Sequence, residues 1–368
     1  MHITKIEEVF DFKGVPEKFA KHQLYGYYPH VVEDKLYWEG RVQAFGRNHE
    51  IQYAVKTDNG YELPTNRVCL RKSLAAENFR VFLDTNPNIP PEEKYKAVGG
   101  YHVGRGSEQN TPAAKGLHTA KLYESLLDCP ISKDLEVVDV VDPVWPDYIK
   151  KIFKDDFYHP RHANGLYVFV SPDGINWKEY HDKPVMSILT ECEDLPIGIL
   201  GLDWMPSIFF DHNINEYVMY LRANMELGSR HIMYSKSKDL IKWTKPKLIK
   251  CNPEFDVKGK QNFYYPAVYP FGDKYIAFPP HFTNTIHDKD GMHRTYHNEH
   301  TVVMISNDGV NWETKGKILE SNTGQHMHQP HVCSFREEDG KYILYVHHAL
   351  LSGVGNLVKY EFECKNLI

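Results

Sequence analysis

A seven-residue pattern, Ser-x-Asp-x-x-x-Trp, recurs in this chain as Ser171/Asp173/Trp177, Ser237/Asp239/Trp243 and Ser306/Asp308/Trp312. Each copy follows a run of β-type residues, and two of them carry Asp-Gly, a strong hairpin signal. The segment reads as a hairpin whose Ser and Asp oxygens take up turn amides while the Trp packs under a neighbouring sheet. A degenerate copy runs from Lys56 through Asp58 and Gly60, with Tyr61 displaced from the Trp position. Self-similarity of this kind marks a chain assembled from stacked supersecondary units.

A second repeat precedes each hairpin. Pro29, Pro206, Pro266 and Pro330 each open a short apolar strand. Those strands turn at Glu33-Asp34, Asp211, Gly272-Asp273 and Asp339-Gly340 and return from Tyr37, Tyr217, Tyr275 and Tyr342. Phe79 replaces the proline in another copy, which turns at Asp84 and returns at Tyr95. Proline is tolerated at a strand start because its missing N–H is not needed there. Five copies with no helical pattern between them predict an all-β chain, a five-bladed β-propeller with four-stranded antiparallel blades. The blades begin near Tyr28, Asn78, Asp203, Tyr264 and Gln329. A strand from residues 5–12 is expected to close the ring against the last copy, which ends at 357–362. Residues 1–368 are expected to form a single domain. Its one long departure is an insertion at about 104–164 in the second blade, rich in charge and proline. A segment that long reads as a lid or as the contact of a homo-oligomer.

Composition narrows the partners. The formal net charge of −6 lacks the basic excess that nucleic acid would require. No apolar run approaches the length of a membrane span. The first residues lack the apolar core of a secretory signal, and the six cysteines are scattered without a CxxC pair. Both features point to free thiols in a reducing, cytoplasmic setting.

The Ser-x-Asp-Gly-x-x-Trp hairpins and the strand Pro206-Ser-Ile-Phe-Phe-Asp211 that follows Asp203 resemble those of the five-bladed propeller glycosidase superfamily. That group includes arabinanases and β-xylosidases, invertases and levansucrases, neoagaro-oligosaccharide hydrolases and mannoside phosphorylases. The segments Phe82-Leu83-Asp84-Thr85-Asn86-Pro87 and Tyr234 to Trp243 are most similar to an invertase-like branch. The resemblance covers most of the chain outside the insertion, and it implies a carbohydrate substrate bound where the inner strands begin. It also implies a carboxyl set: one acid attacks or activates water, and another protonates the leaving oxygen. By position, Asp203 matches the acid heading an inner strand. Glu77 and Asp256, with its neighbour Glu254, precede the second and fourth inner strands. A first-blade acid has no counterpart in Tyr27-Tyr28-Pro29-His30, and Glu39 on the next strand is the nearest carboxyl. Each of these carboxylates can equally be a loop cap or a solvated surface group.

The histidines form an unusual set. His326 and His328 share one face of an extended segment entering the fifth inner strand, and His331 follows them. His281 and His347-His348 end the neighbouring return strands. Such a set suits a divalent cation in the channel or an imidazole proton donor, with His328 the donor candidate; buried packing imidazoles are the competing reading. Arg222 and Arg105 are candidates to hold an anionic group, or to bridge blades as ion pairs. Trp204, Tyr28, Tyr264 and Tyr265 offer faces on which a sugar stacks, or else core aromatics. His326 and His281 complete the substrate-binding candidates. The function expected is glycoside hydrolysis with no required cofactor. Phosphorolysis by inorganic phosphate is the alternative within enzymes, and a glycan-binding propeller without catalysis the alternative outside them.

Overall fold

The computed structural model describes residues 1–12, 26–41, 49–70, 78–100, 165–186, 200–201, 205–224, 230–253, 261–287, 294–321, 330–348, 355–364 and 367. The insertion expected at 104–164 lies outside them. Among the described residues the chain is all-β apart from short 3-10 turns, and no helix is long and apolar enough to cross a membrane.

The strands fall into consecutive antiparallel meanders. The first is Gly26–Val32, Lys35–Arg41, His49–Thr57 and Gly60–Glu62. The second is Arg80–Leu83, Tyr95–Gly99, Tyr167–Ser171 and Lys178–Glu179. The third is Ser207–Asp211, Glu216–Asn224, Arg230–Ser237 and Lys247–Leu248. The fourth is Val268–Phe271, Lys274–Ala277, Arg294–Ser306 and Asn311–Glu320. The fifth is His331–Glu338, Lys341–His347 and Asn356–Glu363, and its outer strand is His2–Asp11 from the start of the chain. The two ends of the described chain therefore share one sheet, as expected for a ring closed by an N-terminal strand.

The ring itself is visible in the packing. Gly26–Val32 lies against both Arg80–Leu83 and His331–Glu338, and Ser207–Asp211 lies against Arg80–Leu83 and Val268–Phe271. The remaining junction is made by Tyr269, whose hydroxyl donates to the Val332 carbonyl at 3.1 Å, and by Phe271 against Phe335. Each junction between consecutive meanders holds its own hydrophobic cluster. The third meander shows why. In Glu216–Asn224, Tyr217, Met219 and Leu221 face the second meander, while Val218 and Tyr220 face the fourth. With a side-chain period of two, a strand buried on both faces must be apolar at successive positions. This is a β-propeller.

The Ser-Asp-Trp hairpins fold as read. Asp173 Oδ1 accepts from the amides of Ile175 and Asn176, each at 2.8 Å, and Ser171 Oγ accepts from the Gly174 amide at 2.9 Å. Burial pushes the Asp173 carboxyl up, yet those amides outweigh it and hold the group down at about 2. Trp312 and Trp243 each donate their indole N–H back into the turn, to Gly309 and Leu240 carbonyls at 2.9 Å. The Trp rings complete the junction clusters. Two tyrosines on the return strands do something the repeat does not announce. Tyr37 and Tyr220 donate to the Gly174 and Gly309 carbonyls, both at 3.0 Å, in the turn of the next meander.

One pairing was not anticipated. Pro280–Ile286 folds back on Arg294–Ser306 and also pairs with Gln261–Phe263, which touches the third meander through a single parallel bridge at Arg230 and Asn262. Its sequence, Pro-His-Phe-Thr-Asn-Thr-Ile, carries too little apolar alternation to stand out.

Candidate functional site

The two ends of the ring differ in chemistry. At the turn end, the carboxylates are consumed by latches between meanders. Asp84 accepts from the Tyr217 hydroxyl at 2.8 Å, and the same geometry joins Glu33 to Tyr95 and Asp211 to Tyr275. Asp84 is also bound by the buried ammonium of Lys96 at 2.7 Å. These acids hold the ring together and are poorly placed for chemistry on a ligand.

At the other end the inner strands begin, and there Tyr28, Met205, Tyr264, Tyr265 and Val332 meet in one cluster. Around them polar side chains are withdrawn from water: Glu39, Asn78, Arg222, Arg230, Asn262, His331 and His347 among others. Buried polar groups are costly unless matched, so their concentration at one end is informative. Left-handed backbone occurs at both ends, in the turns at Glu33, Asn215 and Asp339 and here at three positions. Tyr28, Asn78 and Ala267 have φ of 51°, 59° and 44°, a left-handed conformation that costs a side-chain-bearing residue about 1–2 kcal/mol.

The imidazoles here are neutral. The Val81 amide donates to His30 Nε2 at 3.0 Å, so the proton sits on Nδ1, which faces the Tyr28 carbonyl at 3.3 Å. Burial, reinforced by the Arg80 guanidinium, keeps His30 well below the usual histidine range. His331 and His347 are cross-strand neighbours, both buried, and neither ring has a hydrogen-bond partner. Burial lowers both, His347 to about 3. His281 lies 3.2 Å from His300, and burial plus that neighbour takes it to about 3. Burial alone takes His231 to about 4. A neutral imidazole can donate or accept a hydrogen bond, but none of these carries a proton to give at neutral pH. Among the described residues, no three His, Cys, Asp or Glu side chains gather at one point as a metal site would need.

Of the residues singled out from sequence, Arg222, Tyr28, Tyr264 and His281 all lie at this end. The ring of Tyr264 is faced by two guanidiniums, Arg222 at 5.8 Å and Arg230 at 5.1 Å. Tyr265 meets His331 edge-on at 4.3 Å. Asp203, Glu77, Asp256, Glu254, His326, His328, Trp204 and Arg105 lie outside the described residues. Arg230, Asn262, His300 and His30 escaped the sequence reading. The first two could have been found by asking what precedes each β-run, since those positions border the same end.

No family model matches the sequence, and no curated protein matches it. Solved structures do. One titled a glycoside hydrolase has a TM-score of 0.55 at 12% identity, covering 98% of this chain and 93% of that one. An N-acetylgalactosamine deacetylase from F. plautii, in complex with blood group B trisaccharide, has 0.52 at 11% identity, covering 98% and 94%. An endo-arabinase from Bacteroides thetaiotaomicron has 0.47 at 12%, covering 98% and 99%. The closed ring of meanders and the first of these likenesses place the chain in the β-propeller fold seen in glycoside hydrolases.

Proposed function

We propose that this protein is a carbohydrate-active enzyme that cleaves a glycosidic bond at the polar end of its ring. The observation that carries the reading is the gathering there of buried polar side chains, His331, His347 and Asn262 among them without hydrogen-bond partners, while the carboxylates of the other end are tied into latches. Buried polar groups left without partners are what a ligand site demands and a packing core does not. The fold shared with a glycoside hydrolase structure supports the choice of chemistry, and Trp204 is the residue proposed to stack on the sugar.

In the working mechanism Asp203, heading the strand Ser207–Asp211, attacks or activates water at the anomeric carbon. A carboxyl of Glu77 or Asp256, or the imidazole of His328, protonates the leaving oxygen. Glu39, buried on the strand Lys35–Arg41, is a described carboxyl at this end and stands in for the missing first-blade acid. The whole chain acts as one domain, with the insertion at 104–164 serving as a lid or a self-association surface. None of the described cysteines is in a disulfide, in keeping with a reducing compartment.

The test is turnover of aryl glycosides by the wild type and by Asp203→Asn, with sugar binding measured in parallel. A loss of turnover of about 10³-fold or more with binding retained is expected for a reacting carboxylate. Equal turnover in both proteins would remove Asp203 from the mechanism. Binding with no turnover by the wild type would leave a glycan-binding propeller. Product formed only when phosphate is present would replace hydrolysis by phosphorolysis.

A further inference from the structure

Arg222 and Arg230 sit on adjacent strands whose ladder pairs Arg222 with Ile232 and Asn224 with Arg230. Partners across a ladder share a face, and so do residues two apart, so both arginines occupy the face that Val218, Tyr220 and Ile232 turn toward the fourth meander. Both guanidiniums reach the ring of Tyr264. Asn262 lies two residues before Tyr264 and is bridged to Arg230 in parallel register. It is 0% exposed, and neither its amide oxygen nor its amide nitrogen has a hydrogen-bond partner.

Two guanidiniums converge on one buried ring beside a carboxamide that, buried without partners, forfeits its hydrogen bonds with water. One kind of ligand matches both. An oxyanion accepts from the guanidinium forks and from the Asn262 N–H, and a hydroxyl beside it donates to the Asn262 carbonyl. We infer that Arg222, Arg230 and Asn262 form an oxyanion subsite that takes the carboxylate of an acidic sugar unit, with Asn262 reading the adjacent hydroxyl. The inference rests on the carbohydrate reading above and narrows it to substrates bearing negative charge. Arginine remains charged at all working pH values, so the subsite needs no titration to act.

Thermal melting of the full chain tests it, using sodium glucuronate, glucose and inorganic phosphate as probes at matched ionic strength. Glucuronate is expected to raise Tm with the logarithm of its concentration, by about 2 °C at ten times its Kd, while glucose has no effect. Arg230→Gln should weaken glucuronate at least tenfold. Arg222→Lys, which keeps the charge but loses the fork, should weaken it less. A response to phosphate and none to glucuronate would support the oxyanion subsite with free phosphate as its source. No response to either anion, or an unchanged glucuronate Kd in a folded Arg230→Gln, overturns the inference. Turnover of neutral glycosides with no anion response would sink the subsite and leave the hydrolase reading standing. Glucuronate binding without turnover of any glycoside would do the reverse.

Discussion

Acidification from pH 7 to pH 5 should destabilise this protein steeply, and the buried imidazoles set the size of the effect. His231 is held at about 4, and His281 and His347 at about 3, against an ordinary value of 6.5. Between those limits the unfolded chain binds one more proton per histidine than the folded chain. Stability is therefore complete above about pH 6.5 and is lost as pH falls towards the folded values. The slope is about 1.4 kcal/mol per pH unit for each histidine, so each loses about 2 kcal/mol by pH 5. The three together lose about 6 kcal/mol, comparable with the whole stability of a typical protein. His30 and His331, lowered by burial, act in the same direction. Asp173 and Glu338, both held at about 2, belong to a lower window, because their unfolded counterparts take up protons only below about pH 4.5. Urea unfolding at pH 7, 6 and 5 reads the loss directly. His347→Gln keeps a neutral polar side chain but removes one titrating group, so the drop between pH 7 and 5 should shrink by about 2 kcal/mol. A flat stability over this range, or an undiminished drop in His347→Gln, would show that these imidazoles are hydrated and that the reasoning from burial fails.

Two further outcomes test the inter-sheet contacts. Lys96→Met leaves the buried Asp84 carboxylate without its cation and should cost about 3–5 kcal/mol in urea unfolding. The double variant Lys96→Met with Asp84→Leu should recover much of that loss, since no charge is then stranded. Gly309→Ala places a Cβ 2.5 Å from the Tyr220 hydroxyl at a φ of +76°, whereas Gly340→Ala has the same φ with nothing within 4 Å. Thermal melts should show Gly309→Ala costing about 1–3 kcal/mol more than Gly340→Ala, and equal costs would mean that the Tyr220 latch gives way freely.

Much of the fold was written in local chemistry. Ser306, Asp308 and Trp312 satisfy a turn and a junction within seven residues, so their pattern survives in one dimension. The proline-led strands and their tyrosine returns are legible for the same reason, and a closing strand expected at residues 5–12 forms as His2–Asp11. Other features had no local signature. Tyr220 and Gly309 lie 89 residues apart, and Arg222 meets Tyr264 only because two meanders pack face to face. Whether a carboxylate such as Asp84 is a latch or a reactive group depends on which end of the ring it occupies, and nothing beside it in the chain says so. The sequence alone determined the repeating sheet and the kind of residue heading each strand, since period, turn chemistry and proline act over a few residues. Tertiary packing decided which polar groups were stripped of water together, because desolvation and charge coupling depend on neighbours that the chain brings in from far away.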